Sequence, residues 1–320
     1  MSPKISIIIP TYNGEKYIQK AIESVLNQTF KDFEVIVVDD FSKDNTVSVI
    51  EELQKKDERI KIICLNENSG GPAKPKNEGF KIAKGEYVAY LDQDDEWLKE
   101  KLEEQIKFFE DSKDKNLGLV YCGGNLVDED NKCFSQYIPK MKDNPFPEML
   151  LRNPIYSNSS VLIKREVIER VGERDENMKY SEDFDMWIRV AKSGYGIGVI
   201  SKPLFNYFFH KNNVTKTINQ ILKVKDMEYL FNKNEDIYRK YNYTHIGFFR
   251  IGVMYYLAGD SKESRKFFIK SIKTNKIFLP VYFGYILSLF GDFGKRIIYF
   301  LIFLYRIAKG KRYLIFKKNN

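Results

Sequence analysis

The N-terminal third of the sequence alternates short, β-branched apolar runs with stretches of helical periodicity. Ile5–Ile9 and Val35–Val38 are near-continuous apolar runs, as expected of strands that are buried on both faces. Apolar residues at helical spacing follow each run, over Gly14–Gln28 and from Ser42 onward. Strands and helices that alternate in this way form βαβ units with a parallel sheet. The pattern therefore predicts an α/β fold with a Rossmann-like, mostly parallel sheet flanked by helices.

The same alternation continues to about residue 110. A strand at Ile60–Leu65 leads into Asn66–Pro75, which holds two glycines and two prolines and is expected to be an irregular loop. We expect a short helix at Asn77–Lys84, a strand at Tyr87–Leu91 and a helix from about Trp97 to Glu110.

Beyond residue 115 the elements are less regularly spaced. A strand at Leu117–Tyr121 precedes a long polar segment, Gly123–Pro147, which is expected to be a lid-like loop. The remaining predictions are a strand at Ser160–Ile163, a helix near Arg165–Val171, a helix from about Ser181, and a helical region after about residue 219 with an αα-hairpin formed by Gly247–Leu257 and Ser261–Ile272.

Charge separates the C-terminal region from the rest of the chain. From Asp260 to Asn320 there are 14 Lys and Arg against three acidic residues, a local net charge of +11, whereas the whole chain carries +8. We expect a first domain at 1–215, with halves at about 1–115 and 116–215, and a helical, basic region at 216–320. An apolar content of 43% excludes disorder. Three cysteines and no secretory signal predict a reducing, cytoplasmic location.

Polar and acidic residues stand at the ends of the predicted parallel strands. Thr11-Tyr12-Asn13, Asp39-Asp40 and Asp92-Gln93-Asp94-Asp95 each follow a strand. In open α/β sheets, ligands bind outside the carboxyl ends of the strands. Two carboxylates at i and i+2, as at Asp92 and Asp94, can face one Mg²⁺ or Mn²⁺, although a solvated acidic turn is the alternative. Asp39-Asp40 could bind a nucleobase or ribose, or cap the following helix.

A second acidic pair, Glu182-Asp183, opens a predicted helix. Carboxylates are favoured at a helix N-terminus by the helix dipole, so a capping role is one interpretation. The other is a general base that takes a proton from an acceptor hydroxyl.

Four motifs occur in an order that resembles the family 2 inverting glycosyltransferases of the GT-A fold, over roughly residues 4 to 210. They are Ser6-Ile7-Ile8-Ile9-Pro10-Thr11-Tyr12-Asn13, Val37-Val38-Asp39-Asp40-Phe41-Ser42, Tyr90-Leu91-Asp92-Gln93-Asp94-Asp95-Glu96-Trp97 and Ser181-Glu182-Asp183-Phe184-Asp185-Met186-Trp187.

The resemblance implies a role for each matched residue. Asp183 would be the general base, with Glu182 beside it, while Trp187 would pack in the core. Asp40 would recognise the nucleobase of the donor, which is expected to be uracil. Residues implied in nucleotide-sugar binding are Pro10, Thr11, Tyr12, Asn13, Asp39, Asp40, Lys76, Asn77, Asp92 and Gln93. Those implied in binding Mg²⁺ or Mn²⁺ are Asp92, Asp94 and His210.

The chain departs from the family pattern at three places. Lys76 stands where the family commonly has Arg, so the positive charge is kept but the bidentate geometry is lost. Gly70-Gly71-Pro72 is the second departure, in the loop before Lys76, where it would change how the donor sugar is held. Third, Phe208 replaces the Arg of the family's Tyr-Arg-x-His segment, which here ends at His210. His210 could therefore bind the metal or the diphosphate, or have only a structural role.

The implied function is metal-dependent, inverting transfer of a sugar from a UDP-sugar to a hydroxyl of a glycan or lipid-linked acceptor, in the synthesis of surface polysaccharide or glycoconjugate. Residues 1–115 would bind the nucleotide sugar and residues 116–215 the acceptor. The alternatives are a nucleotidyltransferase and a non-catalytic nucleotide-sugar-binding or membrane scaffold. A nucleotidyltransferase would carry a Gly-rich basic loop after the first strand, where this chain has Thr11-Tyr12-Asn13-Gly14.

The basic tail predicts contact with a membrane surface. Ile277–Gly291 and Ile297–Leu304 are apolar but too short to span a bilayer, which takes about 20 residues. Aromatic residues and cations are interleaved up to residue 318, as in a monotopic anchor on the inner face of the cell membrane. The alternative is that 277–318 packs on the catalytic domain or on a second subunit in a homo-oligomer. We expect no nucleic acid partner, because no RNA- or DNA-binding motif accompanies the charge.

Overall fold

The computed structural model describes residues 2–139, 145–211, 213 and 219–297. The chain divides into two compact units, Met1–Thr217 and Ile218–Asn320. The strands of the first unit are β1 Ile5–Thr11, β2 Phe33–Asp39, β3 Ile60–Cys64, β4 Tyr87–Tyr90, β5 Glu96–Trp97, β6 Leu117–Val127, β7 Cys133–Tyr137, β8 Val161–Lys164 and β9 Gly196–Phe208. Its helices are α1 Ile18–Leu26, α2 Thr46–Gln54, α3 Ala73–Ile82, α4 Lys101–Asp111, α5 Arg165–Val171 and α6 Glu182–Lys192.

Within the described ranges, nine strands form one sheet in the order β3-β2-β1-β4-β8-β6-β9-β5, with β7 beside β6. The first four strands are parallel. The other half is mixed, because β8 is antiparallel to both β4 and β6, whereas β9 runs parallel to β6. Helices flank the sheet, so the predicted α/β fold with a mostly parallel sheet and a C-terminal helical region is confirmed.

Strand β1 lies at the centre of the parallel half and is buried on both faces, as its sequence predicted. Ile5, Ile7 and Ile9 pack in the main core, and a Cβ added to Gly79 of α3 would lie 2.6 Å from Ile8 Cγ2 on the other face. Pro10 is tolerated inside the strand because pairing with β4 ends at Ile8.

Two predicted boundaries are wrong in the region of the functional loops. Helix α3 begins at Ala73, inside the segment predicted to be irregular up to Pro75. Pro75 lies in the first turn, where its missing N–H costs no hydrogen bond. Helix α4 begins at Lys101, not near Trp97, because Glu96 and Trp97 pair with β9.

The predicted lid-like loop at Gly123–Pro147 is also partly wrong. Strand β6 continues to Val127, and β7 pairs back onto it, while residues 140–144 lie outside the described residues. Gly124 permits this, since a Cβ there would lie 2.4 Å from the Phe205 ring of β9. The sequence did not predict β9, whose pairing with β6 shifts register near Cys122 and Gly123.

The second unit is helical in the part that the structure describes. Asp260 caps the second helix of the predicted αα-hairpin by accepting a 2.9 Å hydrogen bond from the Glu263 N–H, and Gly259 has a φ of +102°. The hairpin is confirmed. Among the described residues, none of the helices combines the length and apolar character needed to cross a membrane. The helices are α7 Gln220–Lys233, α8 Glu235–Lys240, α9 Thr244–Leu257, α10 Ser261–Thr274 and α11 Leu279–Ser288.

Candidate active site

The carboxyl ends of β1, β2 and β4 place three predicted motifs at the same edge of the sheet. Gln93 joins two of them directly. Its Oε1 accepts hydrogen bonds from Thr11 Oγ1 at 2.5 Å and from the Tyr12 N–H at 2.9 Å, and its Nε2 donates to the Tyr12 carbonyl at 3.2 Å. The side chain of Gln93 therefore fixes the end of β1 against the loop that holds Asp92 and Asp94.

Asp39 and Asp40 have different partners at the end of β2. Asp40 accepts hydrogen bonds from the side chain of Asn68 and from both the N–H and the hydroxyl of Ser69. Burial raises its pKa. Asp39 Oδ2 accepts from the Ser42 N–H at 2.9 Å, whereas its Oδ1 is buried with no hydrogen-bond partner among the described residues. Neither carboxylate caps α2, which begins at Thr46.

The turn after β1 is held by the loop after β2. Asn13 has a φ of +49°, its N–H donates to Ser42 Oγ at 2.8 Å, and its Oδ1 accepts from the Lys43 N–H at 2.8 Å. Pro10 and Thr11 are buried in the strand, while Tyr12 is 44% exposed. This edge of the sheet therefore combines an exposed aromatic ring, at Tyr12, with a buried carboxylate, at Asp39.

Asp92 and Asp94 occupy the next strand end. The Asp92 N–H donates to Ser159 Oγ at 3.0 Å, and the Asp92 side chain is one-third exposed. Burial raises the pKa of Asp92; the Lys76 ammonium opposes this shift, whereas Asp94 and Glu182 add to it. Asp94 Oδ2 lies 2.8 Å from His210 Nε2 and accepts a 3.1 Å hydrogen bond from Asn213 Nδ2.

His210 is buried and stacks on Tyr17, with 4.6 Å between the ring centroids. Its Nε2 makes a 2.8 Å hydrogen bond with Asp94 Oδ2, and adjacent ligands in an octahedral Mg²⁺ site lie at a similar separation, about 3.0 Å for bonds of about 2.1 Å. The carboxylate oxygens of Asp92 and Asp94 fit Mg²⁺ or Mn²⁺, whereas the imidazole of His210 is a ligand more typical of softer divalent ions. In the described part of the chain, however, no three His, Cys, Asp or Glu side chains already converge as a metal-binding group.

Glu182 and Asp183 form the first turn of α6. Glu182 is buried, and its Oε1 lies 2.9 Å from Lys76 Nζ and 3.5 Å from a terminal guanidinium nitrogen of Arg174. Burial works to raise the pKa of Glu182, but the two cations outweigh it, so the pKa is lowered. Asp183 is half-buried, and its Oδ1 accepts a 2.6 Å hydrogen bond from the Phe184 N–H. Burial and the neighbouring Glu182 raise the pKa of Asp183 to about 7.

Lys76 connects the two acidic regions. Its buried Nζ lies 2.9 Å from Glu182 Oε1 and 3.8 Å from Asp92 Oδ1. The fold therefore brings the start of α6 and the end of β4 to one ammonium group, although these regions are about 90 residues apart in the sequence. The spacing of these two regions in the sequence did not predict that they would lie close together.

The amino-acid sequence matches the model of glycosyl transferase family 2 over residues 6–172. The chain belongs to this family. It is 32% identical over 213 residues to a putative teichuronic acid biosynthesis glycosyltransferase, TuaG, of Bacillus subtilis, a match that covers 67% of this chain and 82% of the relative. This family 2 glycosyltransferase also shares its fold with solved structures.

One such structure is TarS of S. aureus, at a TM-score of 0.62 and 23% identity, where the match covers 85% of this chain but only about half (49%) of the TarS chain. TarS 1-349 in complex with UDP-GlcNAc gives a TM-score of 0.56 at 23% identity, covering 89% of this chain and 79% of that one. The mannosyltransferase PcManGT from Pyrobaculum calidifontis, in complex with GDP-Man and Mn²⁺, gives 0.58 at 18% identity, covering 92% and 86%. At these identities the likeness shows the GT-A-type fold.

The glycosyltransferase brings most predicted site residues to one region, but it uses Asn77 in another contact. The Asn77 amide donates to the Arg174 carbonyl and to Glu176, and its Oδ1 accepts from the Arg174 N–H. A direct ligand contact for Asn77 remains a prediction. Trp187 is fully buried in α6.

Sequence reasoning missed two residues that support the site, Arg174 and Ser159, and assigned no role to Asp95. Arg174 is buried against Glu182, and Ser159 both accepts from the Asp92 N–H and donates to Asp95 Oδ2 at 2.6 Å. Burial raises the pKa of Asp95 well above its usual range, and Asp94 and Asp92 add to this. The run Ser157–Ser160 just before β8 was the available signal, since four polar residues entering a buried strand need partners.

Proposed function

We propose that this glycosyltransferase transfers a sugar, with inversion, from a nucleotide-diphosphate sugar to a hydroxyl of a glycan or lipid-linked acceptor, in the synthesis of surface polysaccharide or glycoconjugate. The observation that carries the proposal is the position of Lys76, between Glu182 of the base region and Asp92 of the diphosphate region. UDP is the expected nucleotide, supported by the UDP-GlcNAc complex of TarS. The name of the B. subtilis relative supports a cell-surface polymer as the product.

The donor would lie along the edge formed by β1, β2 and β4. The buried, unpaired Oδ1 of Asp39 can accept a hydrogen bond from the base or ribose, a role that the sequence assigned to Asp40. Asp40 would act by holding the loop at Asn68 and Ser69. Tyr12 offers an exposed ring for stacking on the base.

Asp92, Asp94 and His210 would hold Mg²⁺ or Mn²⁺, which would offset the growing negative charge of the diphosphate leaving group. Lys76 supplies a fixed positive charge within 3.8 Å of Asp92 and would act on the same charge. Because Lys76 is buried, its ammonium is fixed in place before the donor binds.

Asp183 would remove the proton of the acceptor hydroxyl as the new glycosidic bond forms. A pKa of about 7 suits this task, because the carboxylate is ionised in a useful fraction at neutral pH and is still basic enough to take a proton. Attack from the side opposite the diphosphate inverts the anomeric centre. Glu182 stays ionised between Lys76 and Arg174 and orients the first turn of α6.

The test combines binding with donor chemistry. Thermal shift in the presence of Mn²⁺ with UDP, GDP, dTDP and their sugars should show stabilisation by one nucleotide class. Donor hydrolysis without acceptor should then follow for sugars of that class. No stabilisation by any nucleotide would contradict the proposal, whereas binding without any hydrolysis or transfer would favour a non-catalytic scaffold.

We also propose that the second unit touches a membrane surface. On and after α11, large apolar side chains are exposed, including Phe283 (49%), Phe290 (57%) and Phe293 (66%). Lys273 and Lys276 precede this helix, and Lys295 and Arg296 follow the exposed rings. Aromatic groups flanked by cations match an anionic lipid surface. The predicted anchor residues 298–318 lie outside the described residues.

Flotation with vesicles that contain anionic lipid tests this contact. The full chain should float, and Phe283→Asp with Phe290→Asp should reduce the floating fraction several-fold, because two charges would have to enter the interface. Ile82→Asp, at a 40% exposed position of α3, is the matched control. Equal flotation of both variants would exclude this face as the contact.

A further inference from the structure

Arg174 lies in the turn between α5 and α6 and is only 3% exposed. Its guanidinium lies over the Tyr90 ring, 4.3 Å from the centroid, and 5.3 Å from the centroid of Trp187. Tyr90 ends β4 two residues before Asp92, and Trp187 belongs to α6. A planar cation in contact with two rings is fixed in orientation as well as position.

The polar contacts of Arg174 reach the segments that carry the proposed reacting groups. One terminal nitrogen lies 3.5 Å from Glu182 Oε1, and the other donates to Asn158 Oδ1 at 2.9 Å. Asn158 neighbours Ser159, the acceptor for the Asp92 N–H. The backbone of Arg174 is held at both its N–H and its carbonyl by Asn77, the residue after Lys76. One side chain thus contacts β4, α6 and the polar run before β8.

The charges explain why a cation is needed here. Glu182 is 2% exposed, and an ionised carboxylate at that depth is stable only when it is paired. Lys76 pairs with it but also faces Asp92, so its charge is shared between two acids. Arg174 is the second cation on Glu182. Without it, Lys76 would be the one cation in the described part of the chain within 4 Å of Glu182, and it is already shared with Asp92.

We propose that Arg174 is a positioning residue that, with Lys76, locks Glu182 into the first turn of α6 and sets the charge environment in which Asp183 works. This inference rests on the proposed base role of Asp183 for its effect on turnover, but not for its effect on ionisation. Burial and Glu182 favour the neutral form of Asp183, whereas Lys76 and Arg174 favour its ionised form. Loss of Arg174 should therefore leave the Glu182–Asp183 pair protonated up to a higher pH.

Arg174→Met and Arg174→Lys in the full chain separate charge from packing. Methionine keeps much of the volume and removes the charge, while lysine keeps the charge. For Arg174→Met we expect the acidic limb of the kcat–pH profile to move to higher pH by about one unit, since loss of a nearby cation shifts a carboxyl pKa by that order. At pH 7, a shift of one unit from a pKa of about 7 lowers the ionised fraction of Asp183 about fivefold, so kcat should fall by about fivefold with the donor KM little changed. Arg174→Lys should restore most of the pH limb.

The same shift can be measured without turnover. In protein labelled at the Asp carboxyl carbons, the ¹³C resonance of Asp183, assigned with Asp183→Asn, should titrate at higher pH in Arg174→Met than in the native protein. If the wild-type chain transfers and hydrolyses nothing, the proposed function fails while this titration still tests Arg174. An unchanged titration in Arg174→Met would overturn the inference.

A milder variant is available should Arg174→Met not fold. Asn158→Ala removes the 2.9 Å partner of the guanidinium but leaves all charges in place. We expect a shift of the Asp183 titration in the same direction and smaller. A lower kcat with no change in the pH limb or in the resonance would mean that Arg174 has only a structural role.

Discussion

The proposed nucleotide-binding side of this site and its proposed general-base side, called here the base side, are built with different interactions. At the ends of β1 and β2, side chains are held by hydrogen bonds to nearby backbone groups and hydroxyls, as Gln93 holds Thr11 and Tyr12. At the start of α6, the contacts are buried ion pairs between segments far apart in the sequence, as in Lys76–Glu182.

This difference has an energetic consequence. A typical hydrogen bond contributes about 1 kcal/mol, because water can replace the lost partner. Breaking a buried ion pair by removing one partner costs roughly 3–5 kcal/mol, since a charge is left without compensation. Substitutions on the base side should therefore change turnover and pH dependence, whereas those on the nucleotide side should mainly weaken donor binding.

Removal of the proposed cation should have the largest effect, because the cation would act on the diphosphate, where the two sides meet. We expect EDTA to abolish transfer and Mn²⁺ or Mg²⁺ to restore it. Without the cation, the negative charge of the leaving diphosphate would be repelled by the carboxylates of Asp92 and Asp94. Activity is measured after chelation and again after each metal is added back.

His210→Gln sharpens the metal assignment. It removes the imidazole that lies 2.8 Å from Asp94, and we expect more Mn²⁺ to be needed for half-maximal activity. His245→Gln, in α9 of the second unit, is the control and should leave this requirement unchanged. Full activity in chelator would remove Asp92, Asp94 and His210 from a metal role.

Asp183→Asn should have the next largest effect. We expect turnover to fall by roughly 10²- to 10⁴-fold, the usual contribution of a general base, with nucleotide affinity retained because Asp183 lies on the base side. The measurement is kcat, together with UDP binding by calorimetry. Glu169→Gln, an exposed position in α5, is the control. Near-normal turnover of Asp183→Asn would contradict the base assignment.

The two sides also differ in how far the sequence predicted them. The strand ends followed from local pattern, because parallel strands of β-branched residues place their carboxyl ends at one edge. The pairing of Lys76 with Glu182 did not follow, since it depends on how α3 packs against the turn after α5. Arg174 was missed for the same reason. Its role depends on Tyr90, Asn158 and Trp187, which carry no shared motif.

Strand β9 and the extension of β6 show a second limit of the sequence. Residues 196–208 contain Ser201-Lys202-Pro203, which interrupt the apolar pattern. The pairing of β9 with β6 shifts register at this point. The strand nevertheless matters for the proposed site, because it ends two residues before His210. A local sequence pattern cannot predict a strand that forms mainly because it pairs with a neighbouring strand.

Gln93→Ala should have the smallest effect. It removes three hydrogen bonds between the Asp92–Asp94 loop and the end of β1, all of them to neutral groups. Water can reach the backbone of Tyr12, so the net loss should be about 1 kcal/mol, or about fivefold in donor KM, with kcat and its pH profile nearly unchanged. Gln19→Ala, which removes an exposed contact with Glu23 in α1, is the matched control. If Gln93→Ala instead lowered kcat as far as Asp183→Asn, the separation of the site into a hydrogen-bonded binding side and an ionic base side would be wrong, and the loop would have to be counted among the elements that align the donor for attack.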